Sequence, residues 1–277
     1  MSARGAAASG PAAFGSDLGR FWSLTWTLAA TDFKLRFFGS VLGYLWSLAR
    51  PLMLFGVLYV VFTQVIKFGE DVEFYAVYLL MSIVMFTYFA ETVAGGVVSL
   101  VTRESMLRKM RFPRMVIPLS VSLGALFNLA MNLTAVLVFA LISGVHPRLS
   151  WLQFPLLVLL LSVMAVGLAM LLSALYVRYR DVAPIWDVLQ QVIFYATPIL
   201  YVVSLVPDKY ESVMMANPIA AILTQMRHAM LDPTAPTAAD VIGPDLRLLV
   251  PLAVVAALFA LGLWVFMREA PRIAENL

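Results

Sequence analysis

The sequence predicts an all-α integral membrane protein with six transmembrane helices, and three observations carry that prediction. Of its 277 residues, 62% are hydrophobic and only 13% charged, whereas soluble domains carry about 25% charged residues. The mean hydropathy is +0.91. The apolar residues fall in separate blocks, each long enough at 1.5 Å per residue to cross hydrocarbon about 30 Å thick. Lys and Arg crowd some of the loops between the blocks and avoid others, the asymmetry that sets orientation in a membrane.

Composition also excludes function classes. There is no cysteine, so a disulfide framework and a thiolate metal site are ruled out, and two histidines do not make a metal cluster. The formal charge of +3 and pI near 9.2 do not point to nucleic acid, because the basic residues flank apolar blocks instead of forming one patch. No metal site and no nucleic-acid partner are expected.

Residues 1–16 are rich in Ala, Gly and Ser and lack the apolar core of a cleavable signal; they read as a disordered cytoplasmic tail. Residues 17–38 place Phe21, Trp22, Leu24, Trp26 and Leu28 among Asp17, Arg20, Asp32, Lys34 and Arg36. That run is too short to span and fits a helix lying along the inner face, with Arg20, Trp22, Trp26, Lys34 and Arg36 as its interfacial residues. Residues 39–277 form the transmembrane domain, with apolar blocks near Leu45–Ile66, Phe74–Val101, Met115–Ser143, Trp151–Tyr176, Pro184–Val206 and Leu248–Met267.

One side of these blocks collects Arg4, Arg20, Lys34, Arg36 and Arg50, then the basic run 103–114, then Arg178, Arg180, Arg268 and Arg272. The other holds Lys67, Arg148, Lys209, Arg227 and Arg247, with acidic Glu70, Asp71 and Glu73 at an outer turn. Both termini are therefore expected on the cytoplasmic side. The longest extramembrane stretch, 207–247, contains a short helix at Pro218–Leu231, with Ile219, Ile222, Leu223, Met226 and Met230 at helical spacing. A loop is expected after it, through Asp232, Pro233, Pro236 and Asp240. The helix is expected to dip back into the outer leaflet, where its apolar face finds cover.

No Gly-Lys pair occurs anywhere in the chain, so the phosphate-cradling loop of ATPases is missing and the chain is expected to hydrolyse no ATP of its own. His228 followed by Asp232 at i+4 reads as a local ion pair and not as a catalytic couple. The loop Arg103-Glu-Ser-Met-Leu-Arg-Lys-Met-Arg-Phe-Pro-Arg114 interleaves Met106, Leu107, Met110 and Phe112 with Arg103, Glu104, Arg108, Lys109, Arg111 and Arg114. Positive-inside anchoring accounts for the charges. It does not account for the apolar residues between them, which suit docking into a groove on a cytoplasmic partner.

This loop, with Phe89-Ala-Glu-Thr before it and Ile117-Pro-Leu-Ser after it, resembles the type-2 ABC exporter permease family. Further matches are Tyr179-Arg-Asp-Val, Ala196-Thr-Pro-Ile-Leu-Tyr and Asn217-Pro-Ile, in order along most of the chain. The resemblance implies an interface helix at 17–38, an ATPase-coupling loop at 103–114 and short outer gate helices in 207–247. It implies two permease copies with two ATPase subunits, the latter binding ATP and Mg. Within the family the likeness is to permeases exporting O-antigen, teichoic acid or galactan. That implies a glycan on a polyprenyl diphosphate lipid as substrate, moved across the bacterial plasma membrane; a small-molecule exporter of the same architecture is the alternative.

Under that resemblance Tyr44, Trp46, Tyr59, Tyr88, Phe89, Tyr195 and Tyr201 are candidates to line a glycan path, since sugar C–H faces stack on aromatic rings. Glu91 joins them as an acid deep in a predicted span, where charge is costly unless it is paired or wet; its other reading is a contact with Arg50 or with another helix's amide. Asp187, Gln190, Gln191, Asn128 and Asn132 read as interhelical hydrogen-bonding groups. Arg178 and Arg180 are candidates for a lipid diphosphate, because guanidinium matches phosphate geometry with paired donors; Asp181 beside them favours a turn with an ion pair.

Overall fold

The computed structural model describes residues 18–37, 41–67, 72–109, 113–243 and 245–270. Among them every regular element is a helix, and five helical stretches are long and apolar enough to cross a membrane: Leu45–Val65, Tyr75–Thr102, Val116–Ile142, Leu149–Arg178 and Leu249–Glu269. The central element is α3 (Tyr75–Thr102), packed against α5 (Val116–Ile142) and α6 (Phe154–Arg178), with α11 (Leu249–Glu269) running along α6. In its most apolar stretch α3 is 78% buried, against 6% for α2 (Val41–Val60) and the π-turn Val61–Val65 that extends it. Helix α2 therefore stands on the rim of the bundle with most of its surface free.

Small residues set the closest helix crossing. A Cβ built at Gly262 of α11 would collide with the carbonyl oxygen of Gly167 on α6, and one at Gly167 would meet the backbone at Phe259. Only glycine permits that approach, the usual route to tight packing between apolar helices. At the far end of α5, Gly144 takes φ +88° while Val145 N–H donates to Ala140 O and Gly144 N–H to Leu141 O. This six-residue closing motif satisfies the last carbonyls of the helix.

The predicted inner helix is α1 (Leu18–Phe37). It buries Phe21, Thr25 and Ala29, one residue per turn, and packs on α5. Phe21 shares a core with Leu107, Met115, Val177 and Phe266, so α1, the loop after α3, and the ends of α6 and α11 meet at one pole. This is the pole that carries Arg103, Arg114, Arg178 and Arg268.

The fifth predicted block does not form one long helix. Helix α7 (Val182–Ala196) has 15 residues and stops at Thr197, which is extended at ψ 141° ahead of Pro198. A proline cannot donate to the helix and its ring pushes the preceding residue out of the helical region. The irregular segment that follows is held by α3: Tyr78 donates to Pro198 O and Tyr75 to Leu200 O at 2.7 Å. Non-helical backbone at membrane depth is tolerated where protein satisfies it.

Beyond it lie α8 (Asp208–Met215), α9 (Pro218–Met230) and α10 (Ala238–Ile242), forming a cap at the opposite pole. Asn217 caps α9 by accepting from Ile219 N–H at 3.0 Å and donates to Thr197 at 2.9 Å. Two expectations are corrected here. Asp240 is not in a loop but sits in the first turn of α10, in a reciprocal capping box with Thr237. Asp232 pairs with Arg227 at 3.4 Å, while the Nδ1 of His228 lies 2.8 Å from Ala235 O; the last turn of α9 directs Arg227, not His228, at the carboxylate.

Candidate functional site

Arg103 sits at the corner where α3 ends and α4 (Glu104–Lys109) begins. Its carbonyl accepts from Met106 and Leu107 N–H at 3.1 and 3.0 Å, which starts the new helix. Its guanidinium turns inward, pairing with Asp32 of α1 and donating to Ser120 of α5 at 3.1 Å. Leu107 is buried in the polar-end core and anchors α4 from the same side. Glu104 and Arg108 pair at 2.6 Å, one turn apart, and with Lys109 they point outward; Met106 is half-buried. Arg114 is buried, 5% exposed. The outward side of α4 is thus Glu104, Arg108 and Lys109, while Arg103 and Leu107 tie it to the bundle. Met110, Arg111 and Phe112 lie outside the described residues.

On α1, Arg20, Trp22, Trp26, Lys34 and Arg36 are all exposed. Trp26 and Phe33 also contact the edge of Phe127 on α5, with ring centroids 5.2 and 5.5 Å apart. Arg178 lies over the Tyr179 ring at 5.5 Å and Arg180 over Tyr176 at 5.1 Å. Asp181 has no ion pair among the described residues, so the expected ion-paired turn is instead a cation–π turn.

Three adjoining cavities of about 280, 540 and 440 Å³ run from the α1–α3 junction past α2 to α7. Glu91 lines all three. Arg36 is common to the first two and Arg50 to the second and third. Glu91 Oε2 accepts from Asn128 Nδ2 at 3.0 Å, and Asn132 Nδ2 donates to Asn128 O at 2.9 Å. Of the two partners expected for Glu91, the amide of another helix is the one observed.

The aromatic candidates divide. Trp46 and Tyr195 line these cavities and are 62% and 67% exposed. Tyr59 stacks on Phe55, centroids 5.6 Å apart, and lines a separate outer recess. Tyr88 and Phe89 are buried on the other side of α3: the Tyr88 hydroxyl donates to Ser162 at 2.7 Å, and Phe89 packs against Trp186. Tyr201 donates to Tyr195 O at 3.3 Å. The side chain of Tyr44 lies outside the described residues. Sequence reading did not single out Asp32 or Ser120 for these contacts, because their partner Arg103 is 71 and 17 residues away, whereas Asn128 makes the kind of interhelical hydrogen bond expected of it. The one available signal was that each is a polar group facing an otherwise apolar helix side.

A helical bundle with five membrane-length apolar stretches and a basic pole defines a multi-span membrane protein. The chain belongs to the ABC-2 type transporter family, whose profile matches residues 23–231. It is 28% identical over 219 residues, 79% of this chain and 84% of the relative, to a protein of Klebsiella pneumoniae named O-antigen export system permease protein RfbA. A Myxococcus xanthus protein of the same name is 28% identical over 267 residues, 94% of this chain and 98% of that relative.

Proposed function

We propose that this chain is the permease subunit of an ATP-driven exporter that moves a polyprenyl-diphosphate-linked cell-envelope polysaccharide across the bacterial inner membrane. The observation that carries the reading is full-length likeness to permeases named for O-antigen export, together with an exposed basic helix tied into the bundle. Two copies of the chain assemble with two ATPase subunits, which bind ATP and Mg and do all the nucleotide chemistry. Both termini face the cytoplasm. Helix α7 with the segment after it serves as the sixth crossing, and α8–α10 form the outer gate.

The coupling geometry follows from the inner pole. Force applied by the ATPase to Glu104, Arg108 and Lys109 passes through Arg103 to Asp32 and Ser120, so that α4, α1 and the start of α5 move together. Motion of α1 and α5 then shifts the loosely packed α2, the element with the least buried surface to resist it. Arg178 and Arg180 lie at the same pole, available to a diphosphate head group.

The test is reconstitution with the ATPase encoded beside the gene. A stable complex whose ATPase activity rises in the presence of the chain is expected, with Arg108→Glu and Lys109→Glu together lowering that stimulation about tenfold, the equivalent of roughly 1.4 kcal/mol of lost coupling. No complex and no stimulation contradicts the assignment.

A further inference from the structure

We propose that the groove centred on Glu91 is a sugar-binding site within a single protomer, reading hydroxyl groups of the transported glycan through Glu91, Asn132, Thr87 and Arg50. The inference rests on the export reading and adds where and by what chemistry the cargo is held.

The groove's own side chains select the ligand class. Glu91 faces all three cavities, so a phosphate or other anion entering there meets a carboxylate. Arg36 and Arg50, neither in an ion pair among the described residues, oppose a cation. An apolar ligand would strip water from Arg50, Glu91, Asn132 and Thr87 and return no hydrogen bonds, a costly exchange. A neutral polyhydroxyl compound meets none of these objections, because each hydroxyl both donates and accepts. It accepts from the Arg50 guanidinium and donates to the Glu91 carboxylate, whose rotamer is fixed by the 3.0 Å bond from Asn128. Trp46, 62% exposed at the rim of the same cavity, offers an indole face for the C–H side of a pyranose. At about 540 Å³ the central cavity falls in the size range of small-molecule sites.

Position supports the same ligand. The groove begins beside the Asp32–Arg103 pair at the basic pole and ends at Gln190, Gln191 and Tyr195 of α7, with polar groups set at intervals among apolar side chains such as Leu54, Phe86 and Phe194. The wall of its second and third cavities is α2, the least buried of the five long spans, so the groove is able to widen there without unpacking the core.

The absence of cysteine allows a direct test. A single Ala94→Cys in the full-length chain, held in lipid nanodiscs, places one thiol in the groove beside the proposed binding groups, and its alkylation by a maleimide reports occupancy. The probe is the oligosaccharide released by mild acid from the host's own polyprenyl-linked glycan; inorganic pyrophosphate is the comparison. With oligosaccharide at ten times its dissociation constant, alkylation is expected to slow about tenfold. Pyrophosphate should leave the rate unchanged, and Glu91→Gln or Asn132→Ala in the same background should abolish the protection. Glu91→Gln keeps the shape of the side chain and its contact with Asn128, so lost protection there is not lost folding. A thiol that never reacts, an oligosaccharide that gives no protection, or equal protection by pyrophosphate overturns the proposal. If protection fails while depletion of the chain still traps glycan inside the cell, the groove is refuted and the export reading stands; if depletion traps nothing, that reading falls first.

Discussion

Arg103 joins three helices through one side chain, and the consequences of removing it are separable. Asp32 is about half exposed, so loss of the pair alone should cost only about 0.2–1 kcal/mol of stability. Coupling should suffer more, because α1 and α4 then move independently. We expect Asp32→Ala and Arg103→Ala each to uncouple ATP hydrolysis from transport while thermal stability changes little, and the exchange Asp32→Arg with Arg103→Asp to restore part of the coupling. Equal coupling in all three variants would remove Arg103 from the force path. Tyr78 is the opposite case, fully buried and donating to Pro198 O. Tyr78→Phe leaves that carbonyl without its donor and should cost roughly 1–3 kcal/mol, read as a lowered melting temperature in detergent. Both interior contacts join residues more than 70 positions apart, which is why composition marked the residues as unusual and could not name their partners. Glu91 was legible as an acid needing a partner; the choice of Asn128 over Arg50 depends on how α3 and α5 pack.

Among the elements, those with a local cause were the legible ones. The apolar blocks became α2, α3, α5, α6 and α11, and Asn217-Pro at the start of α9 is a capping signal that the structure honours. Helix α10 was masked by Pro233 and Pro236, although Thr237 and Asp240 spell a capping box three residues apart. The cap formed by α8–α10 carries a pH prediction. Burial pushes the Asp232 carboxyl up, but donation from the Thr234 hydroxyl and amide, with Arg227 nearby, outweighs it and leaves the net shift downward. Hydrogen bonds from Thr237 likewise hold Asp240 below its ordinary value of 3.8. A carboxyl lowered in the folded state stabilises above its unfolded value and loses that contribution as pH falls through the folded one. Amide protection over residues 207–243, taken relative to the intrinsic exchange rate at each pH, should therefore be high at neutral pH and fall below 3.8; a flat profile of protection would deny the carboxylates a role. Gly262 tests helix packing. Gly262→Val forces α11 away from α6 and should destabilise by about 1–3 kcal/mol, whereas Gly124→Ala on α5, with open space around it, should be neutral or better.

At the scale of the whole molecule, hydropathy was enough to establish a membrane bundle and charge asymmetry enough to separate its poles. The number of crossings was less legible, because α7 ends at Thr197 and the chain continues as irregular backbone pinned by Tyr75 and Tyr78. The two poles differ: the basic pole holds α4 against α1, and the other is closed by α8–α10. Between them runs a groove that carries Arg50, Thr87, Glu91 and Asn132 among apolar side chains, beside a helix that has little to hold it still. Such an arrangement makes sense for a protein that is moved by a partner and passes a polar cargo. Depletion of the chain in its native cell, followed by extraction of polyprenyl-linked glycan, tests that claim most directly. Accumulation of the lipid-linked glycan on the cytoplasmic side with loss of the surface polymer is the predicted result. A normal cell surface, with lost resistance to a small toxic compound, would contradict it.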